Sequence, residues 1–158
     1  MKAKYNSLRT SLFFSALLLS VGAASADGGR CSTANGAGGW GFTVTGTNTS
    51  GDPDAIVGNG TVDATGYVAL TQTEVTDGEV RPATLKGNVT VNPDCTAKLT
   101  VKVYDPSGKL VVTATWAMVF VDNQREIRGI LTSLVLPDGR SAPLPVQTLN
   151  AKMKFRRF

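Results

Sequence analysis

The chain is 158 residues long, with 16 basic residues, 12 acidic residues and no histidine. The lack of histidine excludes the usual Ser-His-Asp and Cys-His catalytic groups and most metal sites. Three of the basic residues lie in the predicted leader described below, which leaves 13 basic against 12 acidic residues. Nucleic-acid binding relies on many cationic contacts to phosphates. We therefore expect no nucleic-acid partner, and no motif predicts a metal site or a cofactor.

Residues 1–26 have the pattern of a signal peptide. A positively charged start precedes an apolar run at 12–21, and small residues at 24–26 fit the signal-peptidase pattern. The apolar run is shorter than the roughly 20 residues that a membrane-spanning helix needs. We predict cleavage after Ala26, export to the periplasm or the medium, and a mature protein that is not an integral membrane protein. The basic residues of the start are Lys2, Lys4 and Arg9.

The two cysteines, Cys31 and Cys95, predict one structural disulfide. An even pair in an exported chain usually forms a bridge, because disulfides persist in oxidising compartments. The spacing fits neither a CxxC redox pair nor a zinc site. Residues 27–39 are rich in glycine and predict an irregular segment that Cys31 ties to the domain at 40–158.

Eight runs with β-type alternation follow within 40–158, and most of the turns between them are short. The pair Asp77-Gly78 is typical of a two-residue hairpin turn, since both residues tolerate positive φ. Eight strands joined by hairpins predict an antiparallel up-and-down β-barrel, and a two-sheet β-sandwich is the alternative. The predicted runs are 40–44, 56–62, 67–75, 80–91, 98–103, 110–121, 126–136 and 146–155.

The runs at 110–121 and 126–136 are apolar on both faces, which is unusual for a strand with one face in water. This pattern predicts a covered outer surface, either through association of copies along these two strands or through cover by the chain itself. In the first run, one face carries Val112, Ala114, Trp116, Met118 and Phe120, and the other carries Val111, Ala117, Val119 and Val121. In the second, Ile127, Leu131 and Val135 oppose Ile130, Leu134 and Leu136.

The inward side chains predict a pocket for a small apolar molecule. Alternation from Val68 carries Glu74 inward, and alternation from Ile127 carries Arg125 inward near the barrel mouth. Such a pair of charges could orient a polar group of the ligand or act on it. In the alternative, the core side chains fill the barrel and both charges lie in water at strand ends. Candidate ligand-binding residues are Trp40, Phe42, Glu74, Trp116, Met118, Phe120 and Arg125, with Phe155 and Met153 as further inward side chains.

Four segments carry a resemblance to a family of secreted, largely uncharacterised bacterial proteins: 31–34, 39–47, 89–96 and 119–127. Those proteins are similar to the barrel of allene oxide cyclase and its calycin-like relatives. The resemblance covers most of 31–130, whereas the loop at 137–145 and the basic tail do not match. It implies an eight-stranded barrel and supplies no catalytic residues.

These observations predict an exported barrel that binds a small apolar molecule inside. One alternative is a cyclase- or isomerase-like enzyme that uses the barrel as a reaction chamber. Another is a structural or surface-interaction domain with a filled core. Because unrelated functions share such folds, the site has to distinguish these functions.

Overall fold

The structure is a computed structural model that describes residues 30–156, so the predicted signal peptide lies outside the described residues. A short 3-10 turn at Ala34–Gly36 precedes the first strand, which begins two residues before position 40. The strands are β1 (Gly38–Thr47), β2 (Pro53–Val62), β3 (Tyr67–Thr76), β4 (Glu79–Val91), β5 (Thr96–Tyr104), β6 (Leu110–Val121), β7 (Glu126–Val135) and β8 (Val146–Arg156).

The eight strands form a closed antiparallel barrel in sequence order, with β1 paired to both β2 and β8. This confirms the predicted barrel and excludes the two-sheet sandwich. The hairpin signal is confirmed as well, since Asp77 and Gly78 have φ values of 51° and 76° between β3 and β4. Two consecutive residues with positive φ match the right-handed twist of the flanking strands.

Alternation along β5 and β6 sets which side chains enter the barrel. Leu99 and Val101 of β5 are buried, while Lys98 and Lys102, on either side of this pair, are exposed. The predicted inward face of β6 is confirmed, and its buried members are Ala114, Trp116, Met118 and Phe120. Period-2 alternation therefore holds on both strands.

A β-bulge corrects the prediction for β7. Trp116 pairs with Leu131, but the preceding β6 residue, Thr115, pairs with Ser133, so β7 carries one extra residue there. An extra residue reverses the inside–outside alternation that follows it. Leu134 consequently packs against the core, in the place that uninterrupted alternation gave to Val135.

A second bulge corrects the prediction for the end of β8. Its register against β1 shifts between Gly39 and Trp40, which turns Phe155 to the outer surface. Phe155 is 52% exposed, and its ring covers Gly39, where a Cβ would lie 2.4 Å from a ring carbon. Met153, before the shift, stays partly buried against the core as predicted.

The N-terminal segment and three turns close one end of the barrel, called here the closed end. The Cys31–Cys95 disulfide, with 5.0 Å between the two Cα atoms, ties the segment to the turn between β4 and β5. Trp40 donates from Nε1 to the carbonyl oxygen of Gly36 at 3.0 Å. Its ring meets that of Phe120 edge to face, with 5.9 Å between the ring centroids. The predicted disulfide is thus present, and a bridge of this kind suggests an oxidising, extracytoplasmic location.

The outer faces of β6 and β7 carry exposed apolar side chains within the described barrel. These are Val111, Val119, Val121 and Ile130, between 37% and 55% exposed. Association of copies through these strands stays a prediction. No helix within residues 30–156 has the length and apolar character needed to cross a membrane.

Candidate functional site: the barrel interior

The interior contains two connected cavities of very different size. An inner cavity of about 80 Å³ lies toward the closed end. A larger cavity of about 560 Å³, called here the cup, reaches the rim at the opposite end, where the β1–β2 and β5–β6 loops lie. The two cavities share lining residues, among them Ile56, Leu85 and Trp116. The barrel is therefore nearly filled in one half and hollow in the other.

The predicted aromatic residues belong mainly to the filled half. Trp40, Phe42, Met118 and Phe120 line the inner cavity and are absent from the wall of the cup. Trp116 lines both cavities and is 8% exposed, so it forms part of the floor of the cup. The residue types were expected inside, and they are inside, but most of them serve as core.

The wall of the cup is largely apolar because inward positions of β5, β6 and β7 converge there. Ala114 and Trp116 of β6 lie between β5 and β7, and Leu131 and Leu134 reach the cup from β7 on both sides of the bulge. Leu134 would point outward without the bulge. The apolar residues that line the cup include Ile56, Leu85, Val101, Val103, Val112, Leu131 and Leu134.

A polar cluster stands against this wall on β2, β3 and β8. Asp54 lies opposite Thr76 on the neighbouring strand, β3. Glu74 lies two residues before Thr76 and on the same inner face of β3. Gln147 of β8 donates from Nε2 to Oδ2 of Asp54, although β1 runs between their two strands. Gly46 of β1 pairs with both residues and has no side chain to separate them.

Glycine is the only residue type that fits at position 46, between Asp54 and Gln147. A Cβ at Gly46 would lie 1.9 Å from the carbonyl oxygen of Val146, which is main chain and cannot rotate away. The close approach of β1 and β8 at this point therefore requires glycine.

Asp54 is buried with only part of its hydrogen-bonding capacity used. It is 5% exposed, and among the described residues its Oδ1 atom has no hydrogen-bond partner. The hydroxyl oxygen of Thr76, also 5% exposed, has none either. A buried polar atom without a partner costs roughly 1–3 kcal/mol. Because Asp54 lines the cup, its Oδ1 atom is an acceptor for a donor on a ligand.

Glu74 is half-buried in the same wall, and its carboxyl pKa is raised above the usual value. Burial is the main cause because it disfavours the charged form, and the nearby negative charge of Asp54 raises the pKa further. The positive charge of Arg81 acts in the opposite direction. Arg81 is itself held by Glu79, whose Oε2 accepts from Nε at 3.1 Å and from Nη2 at 2.6 Å.

Arg125 does not face the interior, which corrects the expected pairing with Glu74. Arg125 is exposed in the turn between β6 and β7, at the closed end, and lines neither cavity. Alternation from Ile127 fails because β7 starts at Glu126 and the turn before it has positive φ at three residues, ending with Gln124 at 64°. Gln124 is the buried side chain of this turn, and its Oε1 accepts from the backbone N–H of Ser32 at 3.4 Å.

Sequence reasoning missed Asp54 and Gln147. Residues 48–54 are rich in turn residues and lie between the predicted runs at 40–44 and 56–62, whereas β2 already starts at Pro53. The alternation of inward and outward side chains could have identified both residues. Asp54 precedes Ile56 by two positions, and Gln147 precedes Leu149 by two. Each polar residue therefore shares the inner face of its strand with an apolar one.

The fold and the cavity define the class of protein: a small, disulfide-linked, eight-stranded β-barrel with an internal cup. Within residues 30–156, no group of three or more histidine, cysteine, aspartate or glutamate residues could hold a metal ion. Comparison with models of known protein families gives no match, and neither does comparison with curated protein sequences. The allene oxide cyclase-like resemblance is thus supported only at the level of the eight-stranded antiparallel barrel.

Proposed function

We propose that the protein is exported and binds one small, mostly apolar molecule in the cup. The observation that carries this proposal is the cup itself, about 560 Å³ in volume with a mostly apolar wall. Small-molecule sites are concave, about 300–1,000 Å³ in volume, and lined by apolar side chains with a few polar groups. The cup combines these properties.

The hollow half argues against a purely structural barrel. Protein interiors are close-packed, and voids larger than a water molecule are few. A barrel of eight strands can be filled by its own side chains, as the closed half of this one nearly is. The other half keeps its volume with Val112, Val103 and Leu134 partly buried around it. Occupation by an apolar molecule would remove that partly exposed surface from water.

Two substitutions on β6 test this proposal. Val112 lines the cup, whereas Val119 of the same strand is 39% exposed and lines neither cavity. We expect the neutral apolar dye Nile red to bind to the native protein with one dye per barrel and increased fluorescence. Val112→Trp should fill the cup and weaken binding about tenfold or more, while Val119→Trp should leave it unchanged. Equal effects of both substitutions, or no binding to the native protein, would exclude the cup as the site.

An enzyme is the second candidate, and Glu74 is the observation that favours it. A carboxyl whose pKa is raised by burial beside another carboxyl, in a cavity, is typical of a general acid. A cyclisation or isomerisation of an apolar substrate would fit such a chamber. If a co-purifying molecule is identified by native mass spectrometry, Glu74→Gln should abolish its conversion and retain its binding. Conversion at the native rate in Glu74→Gln would remove this candidate.

Export is the part of the proposal that depends on the leader and on the disulfide. Cys31 and Cys95 are paired, which fits an oxidising compartment. Expression in a bacterium followed by fractionation should place the protein in the periplasm or the medium. N-terminal sequencing should then start at Asp27, and a full-length chain retained in the cytoplasm would contradict export.

A further inference from the structure

We propose that the cup selects amphiphiles with a cationic head, such as a protonated long-chain amine, over those with an anionic head. This inference rests on the proposed ligand-binding function and names the chemical class of the ligand. The apolar body would lie against Val103, Val112 and Leu134, and the head would lie at the polar cluster. Its basis is the charge of that cluster and one acceptor atom within it.

The charges around the cup are mostly negative. Three carboxylate side chains line it, Asp54, Glu74 and Asp105, against one guanidinium, that of Arg81. The guanidinium is already engaged in a salt bridge with Glu79, at 2.6 Å between Nη2 and Oε2. An anionic head would therefore meet a repulsive field, whereas a cationic head would be attracted.

The acceptor is the Oδ1 atom of Asp54, which is buried and has no partner among the described residues. The other oxygen of this carboxylate accepts from Gln147, so the side chain is held in place. Glu74 lies on the adjacent strand, two residues before Thr76, which pairs with Asp54. An ammonium group has three donors and no acceptor, so it can bind to both carboxylates at once.

A neutral alcohol can satisfy the same oxygen, but it gains less. An alcohol has one donor and no charge, whereas an ammonium group has three donors and a positive charge that both carboxylates attract. A fatty-acid anion offers only acceptors, so it would leave Oδ1 of Asp54 without a partner. The expected order of affinity is therefore amine, alcohol, carboxylate.

Three probes with the same alkyl chain test this order at neutral pH: dodecylamine and dodecanoate below their micelle concentrations, and dodecanol below its solubility limit. Isothermal titration should show dodecylamine binding about tenfold or more tightly than dodecanol, and dodecanoate most weakly. Dodecanol tests the proposed function, because its binding depends only on the apolar cup. The difference between dodecylamine and dodecanol tests the cationic preference.

Three variants separate the cup from general surface charge. Asp54→Asn should reduce dodecylamine affinity to that of dodecanol, and Glu74→Gln, at a half-buried position, should act in the same direction if Asp54→Asn does not fold. Glu126→Gln removes one negative charge at the closed end and should leave the affinities of all three probes unchanged. Binding of dodecanol with no preference for the amine would overturn this inference alone. Failure of all three probes to bind would overturn it together with the proposed function.

Discussion

Reduction of the Cys31–Cys95 disulfide should destabilise the barrel by an amount that the loop length sets. The bond joins residues 64 positions apart, and in the chain-entropy model closing a loop of this length stabilises by about 4 kcal/mol. Cys31 is 4% exposed within the hydrophobic core, so the N-terminal segment also keeps noncovalent contacts. One of these is the hydrogen bond from the backbone N–H of Val91 to the hydroxyl of Thr33, 3.1 Å long.

Because those contacts remain, the reduced protein should still fold at room temperature if its total stability lies in the usual range of about 5–15 kcal/mol. The assay is urea unfolding of the native protein with and without dithiothreitol, so that the two samples have one sequence. We expect a loss of about 4 kcal/mol, and a melting temperature lower by roughly 15 °C. A loss below about 1 kcal/mol would refute the argument, since the unfolded chain would then gain little freedom when Cys31 and Cys95 separate.

Three further predictions concern the close strands, the carboxyl groups and the outer face. Gly87→Ala should destabilise by roughly 1–3 kcal/mol in urea unfolding, because its Cβ would lie 2.0 Å from the carbonyl oxygen of Thr100; native stability would contradict this. The raised pKa of Glu74 means that the folded protein holds the carboxyl proton more tightly than the unfolded chain does. The contribution of Glu74 to the free energy of unfolding therefore falls as the pH rises above the usual glutamate pKa. Glu74→Gln should therefore be more stable than the native protein at neutral pH. Glu126→Gln should be less stable there, since ion pairs lower the pKa of Glu126, and melting curves of equal midpoint would contradict both. If copies associate through β6 and β7, Ile130→Lys should convert a larger species to a monomer in light scattering, and an unchanged mass would contradict that association.

The sequence predicted the barrel well because alternation and turn residues are local signals. The eight strands lie where the runs were expected, and Asp77-Gly78 forms its hairpin. The predicted inward face of β6 was also correct. The number of strands and the shortness of their connections were enough to predict that the barrel closes.

The errors arose where a single residue changes the alternation. The bulge in β7 places Leu134 inside, where Val135 was expected, and the bulge in β8 turns Phe155 outward. A bulge depends on the register of the partner strand, which alternation within one strand does not reveal. Arg125 was misplaced for a related reason, since positive φ in the turn before β7 interrupts the alternation.

The candidate site was only partly predictable. Glu74 was found because it shares an inner face with Val68, whereas Asp54 and Gln147 meet across an intervening strand. That contact depends on the absence of a side chain at Gly46 and on closure between β1 and β8. No pattern within one strand encodes a contact of this kind.

Methyl-resolved NMR of the native protein during titration with dodecanol tests most directly whether the cup binds a small apolar molecule. Val103 and Val112 line the cup, while Val119 and Val121, on the same strand as Val112, face outward and are exposed. Binding in the cup predicts saturable shifts of the methyl signals of Val103 and Val112, with those of Val119 and Val121 unchanged. Saturable shifts confined to the outer valines, or no shift at any of the four, would contradict it.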